Sequence, residues 1–210
     1  MEINVISLSA GADNGIIVSF ELIESDKRAI SRFLIPTSAY SRLSLAVGKA
    51  SQELYEAVEE QAKIYGAYKH GGYLLGFSAC SKRMLYRKLV MKGFDPEISR
   101  VAIDMLERDG FIDEVGAAFR EAEKCLSKLW GENRIRAHLL EKGYQDSAVK
   151  EAVLSLVDAE VDFDQNCIEL IEKKFSPLPK DRKERQKIVA SLMRYGYTTS
   201  QIKYAMSMCC

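Results

Sequence analysis

Proline, histidine and tryptophan are scarce in this chain, with four, two and one in 210 residues. So few prolines leave long stretches free to form helix, and three of them, Pro96, Pro177 and Pro179, fall where helices are expected to begin or break. His70 and His138 are far apart, and no Cys-x-x-Cys pair exists, so the sequence offers no metal-ligand spacing. Both histidines are read as structural or surface residues, and no cofactor is expected. The cysteines, Cys80, Cys125, Cys167, Cys209 and Cys210, are odd in number and scattered, which argues against a disulfide framework and fits a reducing, cytoplasmic setting. No apolar run approaches the roughly 18 residues of a bilayer span, and Met1-Glu2-Ile3-Asn4-Val5 does not begin like a secretory signal. No glycine pair leads into Lys-Ser/Thr, so no phosphate loop is read. An excess of charge is also missing, since 30 Lys+Arg face 30 Asp+Glu.

Apolar residues at 47% and charged residues at 29% describe an ordinary globular chain with enough material for a core. The neutral total hides a block pattern. Residues 1–66 carry net −3, 67–103 net +5, 104–172 net −9 and 173–210 net +7. Two blocks are therefore strongly basic, and a polyanionic or acidic partner remains open.

The first forty residues read as strands. Ile3 and Val5 alternate with polar residues, Ile6, Leu8 and Ala10 continue after a one-residue slip suited to a bulge, and a turn cluster ending in Asn14-Gly15 leads into the β-rich run Ile16–Leu22. A third run, Ala29–Ile35, stops at Pro36, and the three form a short antiparallel meander. From Ala39 onward the apolar spacing becomes helical, as at Leu54, Val58, Ala62 and Tyr65.

Self-similarity organises the rest. Segments 81–106, 131–156 and 184–208 superpose on Gly93-Phe94, Gly143-Tyr144 and Gly196-Tyr197. Four residues before each glycine sit Leu89, Leu139 and Leu192; eight before it, Leu85, Ile135 and Ile188; nine after it, Ala102, Ala152 and Ala205. A glycine that closes a helix in the left-handed conformation, with an aromatic folding back on the helix, accounts for the pattern. Asp95-Pro96 and the Thr198…Gln201 capping box then open the next helix. A third helix fits near Ile64–Ser78, Asp113–Leu129 and Asp164–Phe175. The predicted fold is mainly α: three tandem three-helix repeats in an elongated array behind a small β-rich amino-terminal segment. The expected boundaries are 1–50 for that segment, 51–66 for a linking helix, and 67–112, 113–162 and 163–210 for the repeats.

The run Gly131-Glu132-Asn133-Arg134-Ile135-Arg136-Ala137-His138-Leu139-Leu140-Glu141-Lys142-Gly143 resembles the central signature of the RecX family, the regulators of the recombinase RecA. Asp109-Gly110-Phe111-Ile112-Asp113-Glu114 resembles the acidic joint before that repeat, Lys173–Pro179 with Leu192–Tyr197 its third repeat, and Ser81–Phe94 its first. The resemblance spans roughly residues 67–208. It implies a monomeric, cytoplasmic helical protein without catalysis, working in DNA repair, homologous recombination and the SOS response. Such a protein lodges in the groove of the RecA–DNA filament and restrains it. One departure is Gly71-Gly72 inside the opening helix of the first repeat, where a better helix former is expected.

The residues nominated for contact with filament or DNA are basic: Arg83, Arg87, Lys88 and Lys92 in repeat one, Arg134, Arg136 and Lys142 in repeat two, and Lys183, Arg185, Lys187 and Arg194 in repeat three. Single lysines and arginines ordinarily just solvate helices; the blocks taken jointly suit a phosphate or acidic-protein footprint. The repeat-three cations read as nearly unopposed. The acids Asp158, Glu160, Asp162 and Asp164 read as a solvated loop between repeats in preference to a cation site. Two other classes stay open. One is a helical array that binds DNA, single- or double-stranded, without RecA; the other is an enzyme, for which no residue nominates a substrate.

Overall fold

The computed structural model describes residues 2–25 and 27–209, so Cys210 lies outside the described residues. The element order is β1 (Glu2–Ala10), β2 (Gly15–Glu24), β3 (Lys27–Pro36), α1 (Thr37–Leu43), β4 (Gly48–Ala50), α2 (Gln52–Phe77), α3 (Lys82–Met91), α4 (Pro96–Arg108), α5 (Glu114–Leu126), α6 (Glu132–Glu141), α7 (Asp146–Asp158), α8 (Phe163–Phe175), α9 (Arg182–Arg194) and α10 (Thr199–Met208). These form two compact units, Met1–Ser78 with Leu85–Phe111, and Ala79–Met84 with Ile112–Cys210. The mainly helical fold with a small amino-terminal sheet is as the sequence predicted.

In the first unit the meander forms in the order β3-β2-β1-β4, antiparallel throughout. The phase slip at Val5-Ile6 is a real bulge: Val5 faces Phe20 and Ser7 faces Ser19, which leaves Ile6 unpaired and exposed. The first turn falls within the Ala10–Gly15 cluster. Asp13 and Asn14 hold the two left-handed positions, with φ of 55° and 58°, and the Gly15 N–H donates to the Ala12 carbonyl at 3.0 Å. β4, at three residues, is too short to show alternation in the sequence. Ile3, Val5, Val18, Phe20 and Ile35 on the inner face bury against α2, where the Tyr55 ring meets Phe20 and Phe33 edge-on at 5.1 and 5.5 Å.

α2 corrects one expected boundary. The linking helix and the opening helix of the first repeat are a single 26-residue helix running through residue 66, capped by the Ser51 side chain, which accepts from the Leu54 N–H. Nothing between the two halves interrupts hydrogen bonding, because the stretch holds no proline and its glycines stay in helical conformation. Its first half packs Leu54, Tyr55 and Val58 on the sheet, and its second half packs on α4. The Gly71 departure belongs to that second contact: a Cβ there would lie 2.6 Å from Leu106 Cδ1, and Leu106 is fully buried.

Among the described residues nine helices thus follow in three triples, α2–α4, α5–α7 and α8–α10, and in each the first helix packs on the third. The shared glycines do what the repeat pattern predicts. Gly93, Gly143 and Gly196 take φ of 101°, 84° and 95°. Behind them the N–H groups of Phe94, Tyr144 and Tyr197 donate to the carbonyls of Leu89, Leu139 and Leu192 at 3.2, 3.1 and 3.3 Å. That is the same Schellman closure three times. Asp95 caps α4 with Pro96 in the first turn, and Thr198 and Gln201 form the capping box of α10. Asp162, from the dense acidic run, caps α8 by accepting from the N–H groups of Asp164 and Gln165.

Leu139 is fully buried where α6 meets α5 and α7, among Ala117, Ile135 and Ala152. Replacing it with Ala is expected to cost about 2–5 kcal/mol in urea unfolding, whereas Leu140→Ala on the exposed side should stay within about 0.5 kcal/mol.

Candidate functional site

The eleven nominated cations do not have one status. In the first unit, Arg87 and Lys92 are exposed and Lys88 is half-buried; in the second, Arg83, Lys183 and Arg194 are exposed. No ion pair to any of these six is present among the described residues. The others are engaged. Arg136 pairs with Glu132 at 2.8 Å, Lys142 with Glu121 at 2.9 Å, and Lys187 with Glu184 at 2.7 Å, one helical turn away. The reading of the repeat-three cations as unopposed therefore fails at Lys187, because Glu184 lies on its own helix face at i−3. Arg185 is half-buried and lies on α9.

Arg134 has a different role from a solvent-facing cation. Its guanidinium stands 4.0 Å from the Trp130 ring centre and 5.2 Å from that of Tyr195, and it donates to the Arg194 carbonyl at 3.4 Å. It stacks where the start of α6 meets the end of α9. Beside it the Gly131 N–H donates to the Tyr195 carbonyl at 2.8 Å and the Asn133 N–H to the Gly196 carbonyl at 3.3 Å, while the buried Tyr197 hydroxyl donates to the Leu129 carbonyl at 2.9 Å. A Cβ on Gly196 would lie 2.4 Å from the Arg134 nitrogen, and one on Gly131 2.6 Å from Gly196.

The same joint recurs fifty residues earlier within the second unit. The Ser81 hydroxyl donates to the Lys142 carbonyl at 2.7 Å, the Lys82 N–H donates to the buried Glu114 carboxylate at 3.1 Å, and the Arg83 stem lies on Gly143, 2.7 Å from where a Cβ would stand. An open groove of about 520 Å³ runs alongside, lined by Lys82, Arg83, Glu114 and Asp146 among others. It carries both charge signs, so it is no simple anion site. The start of a middle helix is thus seated on the helix-closing glycine of the next triple at both joints, a relation that spacing alone did not reveal.

Glu121 is the charge centre of α5–α7. His138 Nε2 stands 3.0 Å from its Oε1 and Lys142 Nζ 2.9 Å from the same oxygen, with Lys124 at 3.8 Å from Oε2. Burial works to raise its pKa, but the hydrogen bonds from Lys142 and His138 outweigh it and hold the carboxyl below its ordinary value. The His138 ring packs edge-on against Trp130, 5.2 Å between centres, so its role is structural. Glu121, Cys125 and His138 also bring three potential donor atoms within 4.8 Å. Their spacing along the chain resembles no metal motif. The fully buried Cys125 thiol, whose pKa burial raises, lies beside the half-buried Glu121 and His138, and the Lys142 ammonium on Glu121 makes that pair part of a hydrogen-bonded structural network.

Comparison with known proteins decides the family. The chain is 32% identical over 126 residues to the regulatory protein RecX of Xanthomonas campestris pv. campestris (strain B100), spanning 60% of this chain and 76% of that one. The chain belongs to the RecX family. A RecX protein of Vibrio parahaemolyticus serotype O3:K6 is likewise 32% identical, over 59% of this chain and 78% of its own. Residues 160–206 match the model of the RecX third three-helix domain. A crystal structure of regulatory protein RecX superposes with a TM-score of 0.78 at 18% identity, covering 98% of this chain and 99% of that one, so the likeness in fold includes the amino-terminal sheet. The RecX structure from Lactobacillus salivarius gives 0.61 over 70% of this chain and 96% of its own, also at 18% identity. Membership of RecX carries a regulatory, non-enzymatic role. Among the described residues no helix is long and apolar enough to cross a membrane.

Two outcomes test this geometry. Gly196→Ala meets both a positive φ and backbone, whereas a Cβ on Gly93 meets nothing within 4 Å. Urea unfolding should show Gly196→Ala as the more destabilising, by about 1–3 kcal/mol. Because the native pKa of Glu121 is depressed, its ionisation stabilises the fold above the ordinary value of 4.5, and that contribution is lost as pH falls through the lower native value. The stability gap between wild type and Glu121→Gln should be full near neutrality and close in acid; a gap independent of pH would assign the effect to packing.

Proposed function

We propose that this RecX chain binds the recombinase–DNA filament along its groove and lowers recombinase activity by restraining strand exchange or promoting disassembly. The observation that carries the reading is the set of six nominated cations without an ion pair among the described residues, Arg83, Arg87, Lys88, Lys92, Lys183 and Arg194, in a chain whose net charge is zero. Surface cations left unpaired in the company of 30 acids are available for phosphate or for acidic protein. The three triples, taken as the repeats the sequence outlines, supply successive contact points for successive filament subunits. Arg136, Lys142 and Lys187 contribute less, because each would have to leave a carboxylate, and Arg134 contributes by holding α6 to α9.

A second reading rests on the same cations: DNA binding that needs no recombinase. It predicts a log affinity falling linearly with log salt, by about 0.7–0.9 per neutralised phosphate, with DNA alone. Filament binding instead requires assembled recombinase and depends less steeply on salt. The test uses two variants, Arg87→Ala/Lys88→Ala/Lys92→Ala and Lys183→Ala/Arg194→Ala, in co-sedimentation with RecA on single-stranded DNA and in inhibition of its ATP hydrolysis. Each should weaken filament binding severalfold with an unchanged melting temperature, and Arg136→Ala should do so much less. Unchanged inhibition by both variants would count against the surface.

A further inference from the structure

The second half of α2 carries an exposed ladder of rings. His70 and Tyr73 stack at 6.1 Å with an interplanar angle of 24°, Tyr73 meets Phe77 edge-on at 4.7 Å, and Phe94, just after the Gly93 closure, joins His70 at 5.7 Å. Residues 70, 73 and 77 lie on one helix face by spacing. Tyr73 is 61% exposed and Phe77 75%, so two large rings stand in water beside each other. The core of the first unit already has its aromatic cluster at Phe20, Phe33 and Tyr55, and this ladder is separate from it.

The surroundings favour one kind of occupant. From residue 61 to residue 94 the sequence has no aspartate or glutamate; of the first unit's cations in this stretch, Lys63 pairs with Glu59 and Lys69 with Asp13, while Arg87 and Lys88 have no ion pair among the described residues. Lys92 is two residues from Phe94 and has no ion pair among the described residues. Gly76 adds an independent sign. Inside a helix a glycine costs about 1 kcal/mol relative to alanine, and here no close packing requires it, since an added Cβ would meet nothing within 4 Å. A helical side chain leans back over the preceding turn, so one at 76 would cover the Tyr73 ring. The glycine leaves that ring face open.

We propose that the His70–Tyr73–Phe77 ladder is a stacking platform for unpaired nucleic-acid bases, with the neighbouring cations holding the strand's phosphates. Exposed rings beside an acid-free basic stretch are the combination that single strands require, because every base offers a π-face and every linkage a negative charge. The bases of a duplex are already stacked on one another, so the platform discriminates single strand from double strand. This deepens the filament reading on its nucleic-acid side, yet it is tested on the protein alone and fails or stands separately from it.

The experiment is fluorescence anisotropy of the full chain with labelled oligothymidylate and with a duplex of equal length, over a salt series. Tyr73→Ala/Phe77→Ala should lose about tenfold or more in single-strand affinity. The slope of log affinity against log salt should be unchanged, because no phosphate contact is removed. Duplex affinity should not change. Gly76→Leu, which removes no group and replaces a poor helix former, should lose single-strand affinity in the same way with an undiminished melting temperature. Absence of single-strand binding by the wild type, unchanged affinity in both variants, or an equal loss on duplex would each overturn the platform. Retained single-strand affinity with lost binding to assembled filament would also overturn it, by making the ladder a protein contact.

Discussion

The constraint on which the helical architecture turns is the approach of one backbone to another at a helix-closing glycine. Gly143 and Gly196 are left-handed, which ends α6 and α9 and turns the chain toward the next helix. The same two glycines receive the start of an earlier middle helix: the Arg83 stem on one, the Arg134 nitrogen on the other, at distances no Cβ would allow. One residue type thus meets a conformational demand and a packing demand at once. Gly93, which closes α3, meets only the first, since a Cβ added there would meet nothing within 4 Å.

Around these joints, polar groups are matched without surplus. The Ser81 hydroxyl, the Glu114 carboxylate and the hydroxyls of Tyr144 and Tyr197 each bond backbone from another element. Burial pushes the Tyr144 phenol up to about 12 and moves that of Tyr197 further in the same direction. Both therefore stay neutral donors across the physiological range. Many acids of the net-negative middle block are similarly committed: Asp113 and Asp162 to caps, Glu132 to Arg136, and Glu121 to His138 and Lys142. The basic blocks before and after it have few acids of their own, and the six nominated cations without an ion pair among the described residues all lie in them. A neutral chain can in this way present basic surface.

Much of this was legible because it is local. Alternation marked β1 to β3, the slip at Val5-Ile6 marked the bulge, and the repeated glycine-aromatic pair marked three Schellman closures, with a side-chain cap following the first and the third. The continuity of α2 was harder to read, since the difference between two helices and one lies in tertiary packing on both its halves and not in any local signal. The turn cluster closes at Asp13-Asn14 because two non-glycine residues there accept left-handed φ. Among the site candidates, their basic character was plain, but sequence could not sort a cation facing water from one held by a carboxylate. Arg134 looked like its neighbours until Trp130 and Tyr195 closed on either side of it.

The sequence by itself determined the order of elements, the triple repeat, the helix ends and the blocks of charge, all of which follow from spacings of a few residues along one chain. Tertiary structure alone decided which cations remain available, which glycines bear a neighbour's backbone, and that Glu121, His138 and Lys142 share one site. The physical reason is that pairing energies depend on distances between segments tens of residues apart, and those distances exist only once the helices have packed.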